Sequence, residues 1–172
     1  MTVYTIGHST RPLDEFIELL RSHGVAQLAD VRTVPKSRRH PHFAADALSQ
    51  SLDSAGIVYR HAGELGGLRK PAVKSRNMAW RHEGFRGYAD YMETAAFEGA
   101  LDALVDWSRE ARTTVMCAEA LWWRCHRQLI ADALVARGLE VRHIMSAREC
   151  AGHTLTAFAR VNADRVTYPG LI

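Results

Sequence analysis

The sequence lacks the features that mark a disulfide-stapled, membrane-spanning or low-complexity chain. It has only three cysteines (Cys117, Cys125 and Cys150) and no Cys-x-x-Cys pair. A disulfide framework is therefore excluded, and a reduced, cytoplasmic protein is expected. No apolar run approaches the roughly 20 residues of a membrane span, and Met1-Thr2-Val3-Tyr4 does not read as a signal peptide. No Gly-x-x-x-x-Gly-Lys-Ser/Thr run occurs, which excludes a P-loop. Gly63, Gly66 and Gly67 lack the G-x-G-x-x-G spacing of a dinucleotide fold. Repeats are absent as well.

What is present is ordinary globular composition. The 172 residues are 47% hydrophobic and 24% charged, enough for a single domain that buries about 70% of its unfolded surface. The net charge of +3 is small, but its distribution is uneven. Val31 to Ala45 carries Arg32, Lys36, Arg38, Arg39, His40 and His42 with no acid. A second basic stretch runs from Arg60 to Gly87. Ala89 to Glu110 then reverses sign, with Arg109 the lone cation among its acids. A basic face of this kind attracts an anionic partner.

Strand and helix patterns alternate along the chain. Val3–Ile6, Gln27–Val31, Ile57–Arg60, Thr113–Met116 and Glu140–Ile144 read as five strands. Between the first two, Leu13, Phe16, Ile17 and Leu20 fall on one helical face, with Pro12 at the start and Gly24 at the stop. Phe43–Ala55, Tyr88–Arg109 and Leu129–Arg137 read as further helices. Arg69 to Gly87 reads as a long polar loop, a type that is usually functional or mobile. Ala157–Arg160 and Arg165–Tyr168 read as a C-terminal β-hairpin. The alternation predicts a three-layer α/β domain over residues 1–172: a mostly parallel sheet of about five strands with helices on both faces.

Parallel sheets bind ligands beyond the carboxyl ends of their strands. Gly7, His8 and Ser9 follow the first strand; Arg32 and Arg38 the second; His61 the third. The fourth leads into Cys117-Ala118-Glu119-Ala120-Leu121-Trp122-Trp123-Arg124-Cys125-His126-Arg127. A cysteine at a helix start beside His and Arg is favoured as a thiolate. Cys117 and Cys125 are thus both candidate nucleophiles or redox thiols, with His8, His61, His126 and Glu119 for proton transfer. Gly7, Ser9, Arg32, Arg38, Arg124 and Arg127 are the candidate anion-binding residues. Arg124 is one position too far from Cys117 for the Cys-x5-Arg loop of thiol phosphatases. The paired tryptophans read as loop anchors, with stacking on a ligand ring as the rival.

Five ordered motifs resemble the bacterial domain of unknown function 488 family. They are Thr5-Ile6-Gly7-His8-Ser9; Asp30-Val31-Arg32 with Pro35 and Ser37-Arg38; Tyr59-Arg60-His61 with Leu65-Gly66-Gly67; Phe85-Arg86-Gly87-Tyr88-Ala89; and Cys117-Ala118-Glu119 with Cys125-His126-Arg127. The resemblance spans about Val3 to Tyr168 and implies a small α/β domain, with no reaction attached.

The leading expectation is an enzyme with a Cys/His/Arg site for an anionic, phosphate-bearing substrate, either a nucleotide or a nucleic acid, and with no cofactor. One alternative is a non-catalytic nucleic-acid-binding module that stacks bases on Trp80, Phe85, Tyr88 and Tyr91. The other is a zinc or iron site built from Cys117, Cys125 and His126, with His8 or His61 completing it, although Cys-x7-Cys-His is not a common zinc spacing.

Overall fold

The computed structural model describes residues 1–171. Five parallel strands, β1 (Thr2–Gly7), β2 (Gln27–Asp30), β3 (Val58–His61), β4 (Thr113–Cys117) and β5 (Glu140–Ile144), pair with a short antiparallel β6 (Cys150–Gly152). The sheet order is β3-β2-β4-β1-β5-β6. The helices are α1 (Leu13–Ser22), α2 (Ala45–Ser54), α3 (Glu83–Tyr91), α4 (Ala95–Trp107) and α5 (Arg127–Ala136), and β7 (Arg160–Asn162) and β8 (Arg165–Thr167) form the C-terminal hairpin.

The order explains the layering. From β1 to β2 to β3 the chain steps one way along the sheet, and from β3 to β4 to β5 it steps back. Right-handed crossovers then put the two sets of helices on opposite faces. One core joins Phe16, Leu20, Leu48 and Leu52 to Ile6, Leu28 and Met116. The other joins Phe97, Leu101, Leu104, Leu129 and Leu134 to Val3, Ala29 and Val115. Val115 and Met116 are adjacent on β4 and serve opposite cores, as the two-residue period of a strand requires. Each fully buried Leu contributes about 1.5–3 kcal/mol, so both faces are held firmly.

Three sequence expectations need correction. The helix expected over Tyr88–Arg109 is two helices, because Thr94 Oγ1 caps α4 by accepting from Phe97 N at 3.3 Å. α3 begins earlier than expected, capped by His82, whose Nδ1 accepts from Gly84 N. The long basic loop is braced rather than free. Asn77, fully buried, donates to Asp90 and Glu93 and accepts from Tyr168 N, while Asp90 also receives Ala72 N and Ser75 Oγ. β6 was not legible in the sequence: Cys-Ala-Gly is too short to show a period.

β4 lies between β1 and β2, so the carboxyl ends of these three strands sit side by side. That adjacency brings residues 7–9, 30–32 and 117–119 together.

Candidate functional site

Cys117 ends β4, and the following loop returns through a 3-10 turn (Trp122–Arg124) to Cys125 and the start of α5. The loop packs tightly on β1. His8 N donates to Cys117 O and Ser9 N to Ala118 O, both at 2.9 Å. Gly7 allows this approach, since a Cβ there would sit 1.9 Å from the Glu119 carbonyl oxygen. Gly7 therefore serves packing of the loop on β1.

The return brings Cys117, Cys125 and His126 into one cluster, their sulfurs and an imidazole nitrogen within 4.8 Å of one another. Such a Cys/His cluster could hold a metal ion. His126 Nε2 lies 3.0 Å from Val31 O. A carbonyl only accepts, so Nε2 carries the proton and Nδ1 faces Cys125 Sγ at 3.7 Å. The proton shared with Cys117, then His126 and Arg127, hold the Cys125 thiol well below its ordinary range against the opposing effect of burial. The same sharing, with burial, pushes Cys117 up. Of the two candidate thiols, Cys125 is the one whose surroundings favour the thiolate.

The arginines divide into two kinds. Arg32 is 6% exposed and paired with Asp30, Nη2 to Oδ2 at 2.6 Å and Nε to Oδ1 at 2.9 Å. Its Nη1 donates to His8 Nε2 at 3.3 Å. Arg127 is 1% exposed and donates to Thr5 Oγ1 and to the Glu119 and Ala120 carbonyls. Neither is a free anion clamp, contrary to the sequence expectation; both hold the strand-end loops. Lys36, Arg38, Arg39 and Arg124 are exposed and in no ion pair among the described residues. These cations are available to a ligand.

His8 stacks on Phe43, and its Nδ1 donates to Ser9 O at 2.8 Å. Burial lowers its pKa to about 4, so it is neutral at pH 7. His61 is not gathered into the cluster. Its Nε2 donates to Arg32 O, and it lines a separate hollow with Arg60, Trp107 and the small residues of α4. Glu119 is exposed on the rim, its carboxylate accepting from Leu121 N.

Three hollows join along this edge. The largest, about 840 Å³, is lined by Cys117, Cys125, His126, Glu119 and Arg124, with Leu68, Phe85 and Trp123 as its apolar wall. The next shares Cys117 and His126 and reaches Lys36, and the third continues past Ser9 to Arg38 and Arg39. Ser9 and Leu68 flank the groove in the left-handed region, with φ 49° and 59°. Backbone of this kind concentrates at functional sites.

The aromatic platform expected from sequence is largely occupied. Tyr88 is 1% exposed and donates to Leu65 O, Tyr91 donates to Glu64 O beneath Arg69, and Trp80 is wedged among Phe85, Phe158 and Tyr168. Trp122 is indeed an anchor, stacked on His143 at 4.2 Å, whereas Trp123 is 45% exposed on the cavity rim.

Sequence reasoning also missed a buried chain behind the site. Thr5 Oγ1 meets His143 Nδ1 at 2.7 Å, His143 Nε2 meets His153 Nδ1 at 3.0 Å, and His153 Nε2 donates to Asp132 at 2.8 Å. Tyr168 OH and Thr156 N complete Asp132. Polar residues at core-facing positions of β1, β5 and α5 are the signal that marked it.

The pattern of the family described as domain of unknown function DUF488 matches residues 12–134, more than half of the chain. The chain belongs to the DUF488 family. The match includes Arg32, Cys117, Cys125, His126 and Arg127, and it stops short of His143 and His153. No curated protein and no solved structure matches this DUF488 chain.

Proposed function

We propose that this DUF488 protein is an enzyme acting on a phosphate-bearing substrate, a nucleotide or a nucleic-acid strand, at the carboxyl edge of its sheet. One observation carries the reading: the Cys117–Cys125–His126 cluster lies at the junction of an apolar hollow and a cationic groove. Leu68, Phe85 and Trp123 suit a flat base. Lys36, Arg38 and Arg39 suit the attached phosphates. The cluster is the reactive centre, and its donor set serves a thiol nucleophile or a zinc or iron ion at the same spot.

The purely binding module is the weaker reading, because its stacking residues are mostly committed to the interior. The test is binding of a short single-stranded oligonucleotide and of a mononucleotide over a salt series. Lys36→Ala, Arg38→Ala and Arg39→Ala, made together, lower the slope of log affinity against log salt by about 2, at roughly 0.7 per lost contact. Absence of binding to both probes at low salt overturns the reading.

A further inference from the structure

Three donors converge in the cluster, all within 4.8 Å of one another. Two are sulfurs and one is an imidazole nitrogen, and the Cys125 Sγ to His126 Nδ1 edge is 3.7 Å. Zinc bonds of about 2.3 Å to sulfur and about 2.0–2.1 Å to nitrogen place tetrahedral S and N ligands about 3.6 Å apart. The observed edge needs almost no adjustment.

The surroundings fix the donors in that orientation. The Val31 carbonyl accepts from His126 Nε2, leaving Nδ1 as the free lone pair aimed at the sulfurs. Metal-bound histidines are held by this kind of outer contact. Gly67 backs the ring, and a Cβ there would come within 3.1 Å of Nδ1. Arg127 ties the Glu119 and Ala120 carbonyls to the start of α5, so Cys117 and Cys125 are held at one separation.

We infer that Cys117, Cys125 and His126 bind a zinc ion whose fourth position opens into the cavity beside Glu119. The inference rests on the reading of this cluster as the reactive centre. Two thiolates and an imidazole form a borderline-soft, tetrahedral donor set. An iron–sulfur cluster takes four protein ligands, either four thiolates or two thiolates and two imidazoles, whereas this cluster gathers two sulfurs and one imidazole. Three protein ligands with one open position characterise catalytic zinc, whereas structural zinc is closed by four.

Charge supports the same occupant. Binding releases the thiol protons to solvent, and zinc with two thiolates is then neutral. Arg127, buried behind the cavity, meets no carboxylate among the described residues and keeps a positive charge next to His126 in the chain. An oxygen of water or of the substrate's phosphate completes the shell. A water held there ionises far more readily than in bulk. Glu119 is the one carboxylate lining this hollow and is the group placed to take its proton.

The test is metal analysis of the purified chain together with titration of the chelator-treated chain with cobalt(II). The expected result is close to one zinc per chain, with cobalt producing the thiolate charge-transfer and tetrahedral visible bands. Cys117→Ser, Cys125→Ser and His126→Gln each lose the metal and the bands, while Cys150→Ser keeps both. Circular dichroism confirms that each variant is folded, and the wild-type cobalt spectrum stands even where a variant is not. A folded wild-type chain that gives no cobalt band, with three freely reacting thiols, overturns the inference and leaves covalent thiol chemistry in its place. The Lys36/Arg38/Arg39 variant separates the two claims: it keeps the metal and loses affinity for the oligonucleotide.

Discussion

Two polar clusters meet at Arg127, and they are built on opposite principles. In the buried one, every link can be satisfied in a single sense. Arg127 donates to Thr5, Thr5 to His143 Nδ1, His143 Nε2 to His153 Nδ1, and His153 Nε2 to Asp132. Asp132 is completely buried and also receives Tyr168 OH and Thr156 N. The chain ends on a guanidinium, which keeps its protons, so it is a brace and not a proton path. In the other cluster, Cys117, Cys125 and His126 converge on the edge of a cavity, and their strongest acceptors face one another. The brace is satisfied at every link, with only Arg127 Nε left unpartnered at its end among the described residues, and such a network specifies the fold; open donors at a cavity are available for chemistry.

The largest expected effect that would break this contrast is on stability. Asp132→Ala removes the acceptor of Tyr168 OH, His153 Nε2 and Thr156 N, at a cost of about 3–5 kcal/mol, two or three stranded donors at about 1–3 kcal/mol each. For a chain of this length that is a melting-temperature drop on the order of 10 °C, read by calorimetry. A drop within about 2 °C would show that the brace is not structural.

His143→Phe comes next. It keeps the stacking surface for Trp122 but leaves the Thr5 hydroxyl proton and His153 Nδ1 without a partner, costing about 1–3 kcal/mol. Thermal melts of this variant beside His143→Gln, which retains a donor toward His153, sharpen the assignment. Gln should recover part of the loss, and equal losses would place the effect in packing alone.

Acid stability separates the clusters further. Burial lowers His8 to about 4 and His143 to about 3. The unfolded chain takes up these protons below about pH 6.5, whereas the folded chain refuses them until about 4 and 3. Stability is therefore full above pH 6.5 and falls through the window down to about pH 4, by up to about 1.4 kcal/mol per pH unit for each histidine. Denaturant melts at pH 7, 6 and 5 read this slope. A flat profile would mean that neither ring is held neutral.

The smallest stability effect belongs to the groove. The Lys36/Arg38/Arg39 variant should melt close to the wild type, the exposed cations contributing within about 0.5 kcal/mol apiece. Its loss appears in polyanion binding instead.

How much of this was legible in the sequence follows from the range of the interactions. Strand ends fall within a residue or two of expectation because glycine stops and apolar runs are local signals. The strand-end rule placed His8, Cys117 and Glu119 on one edge without the strand order. What it missed is long-range. That Arg32 meets His8 and Arg127 meets Thr5 depends on how β1, β2 and β4 neighbour one another, which local patterns do not encode. The brace was hidden for the same reason: Thr5, Asp132, His143, His153 and Tyr168 come from five separate segments. The split at Thr94 was overlooked although Thr is a strong capping residue, because the apolar period continues across it.

The most direct test of the reactive cluster is site-resolved alkylation of the folded, chelator-treated chain with iodoacetamide at pH 6.5. Cys125 is held low by the Cys117 proton, His126 and Arg127, whereas burial raises Cys150. The account predicts that Cys125 is modified first, ahead of the more exposed Cys150, by a factor on the order of ten or more, because the thiolate and not the thiol is alkylated. Modification of Cys150 first, with Cys117 and Cys125 both inert until denaturant is added, would contradict it and return the pair to the hydrophobic core.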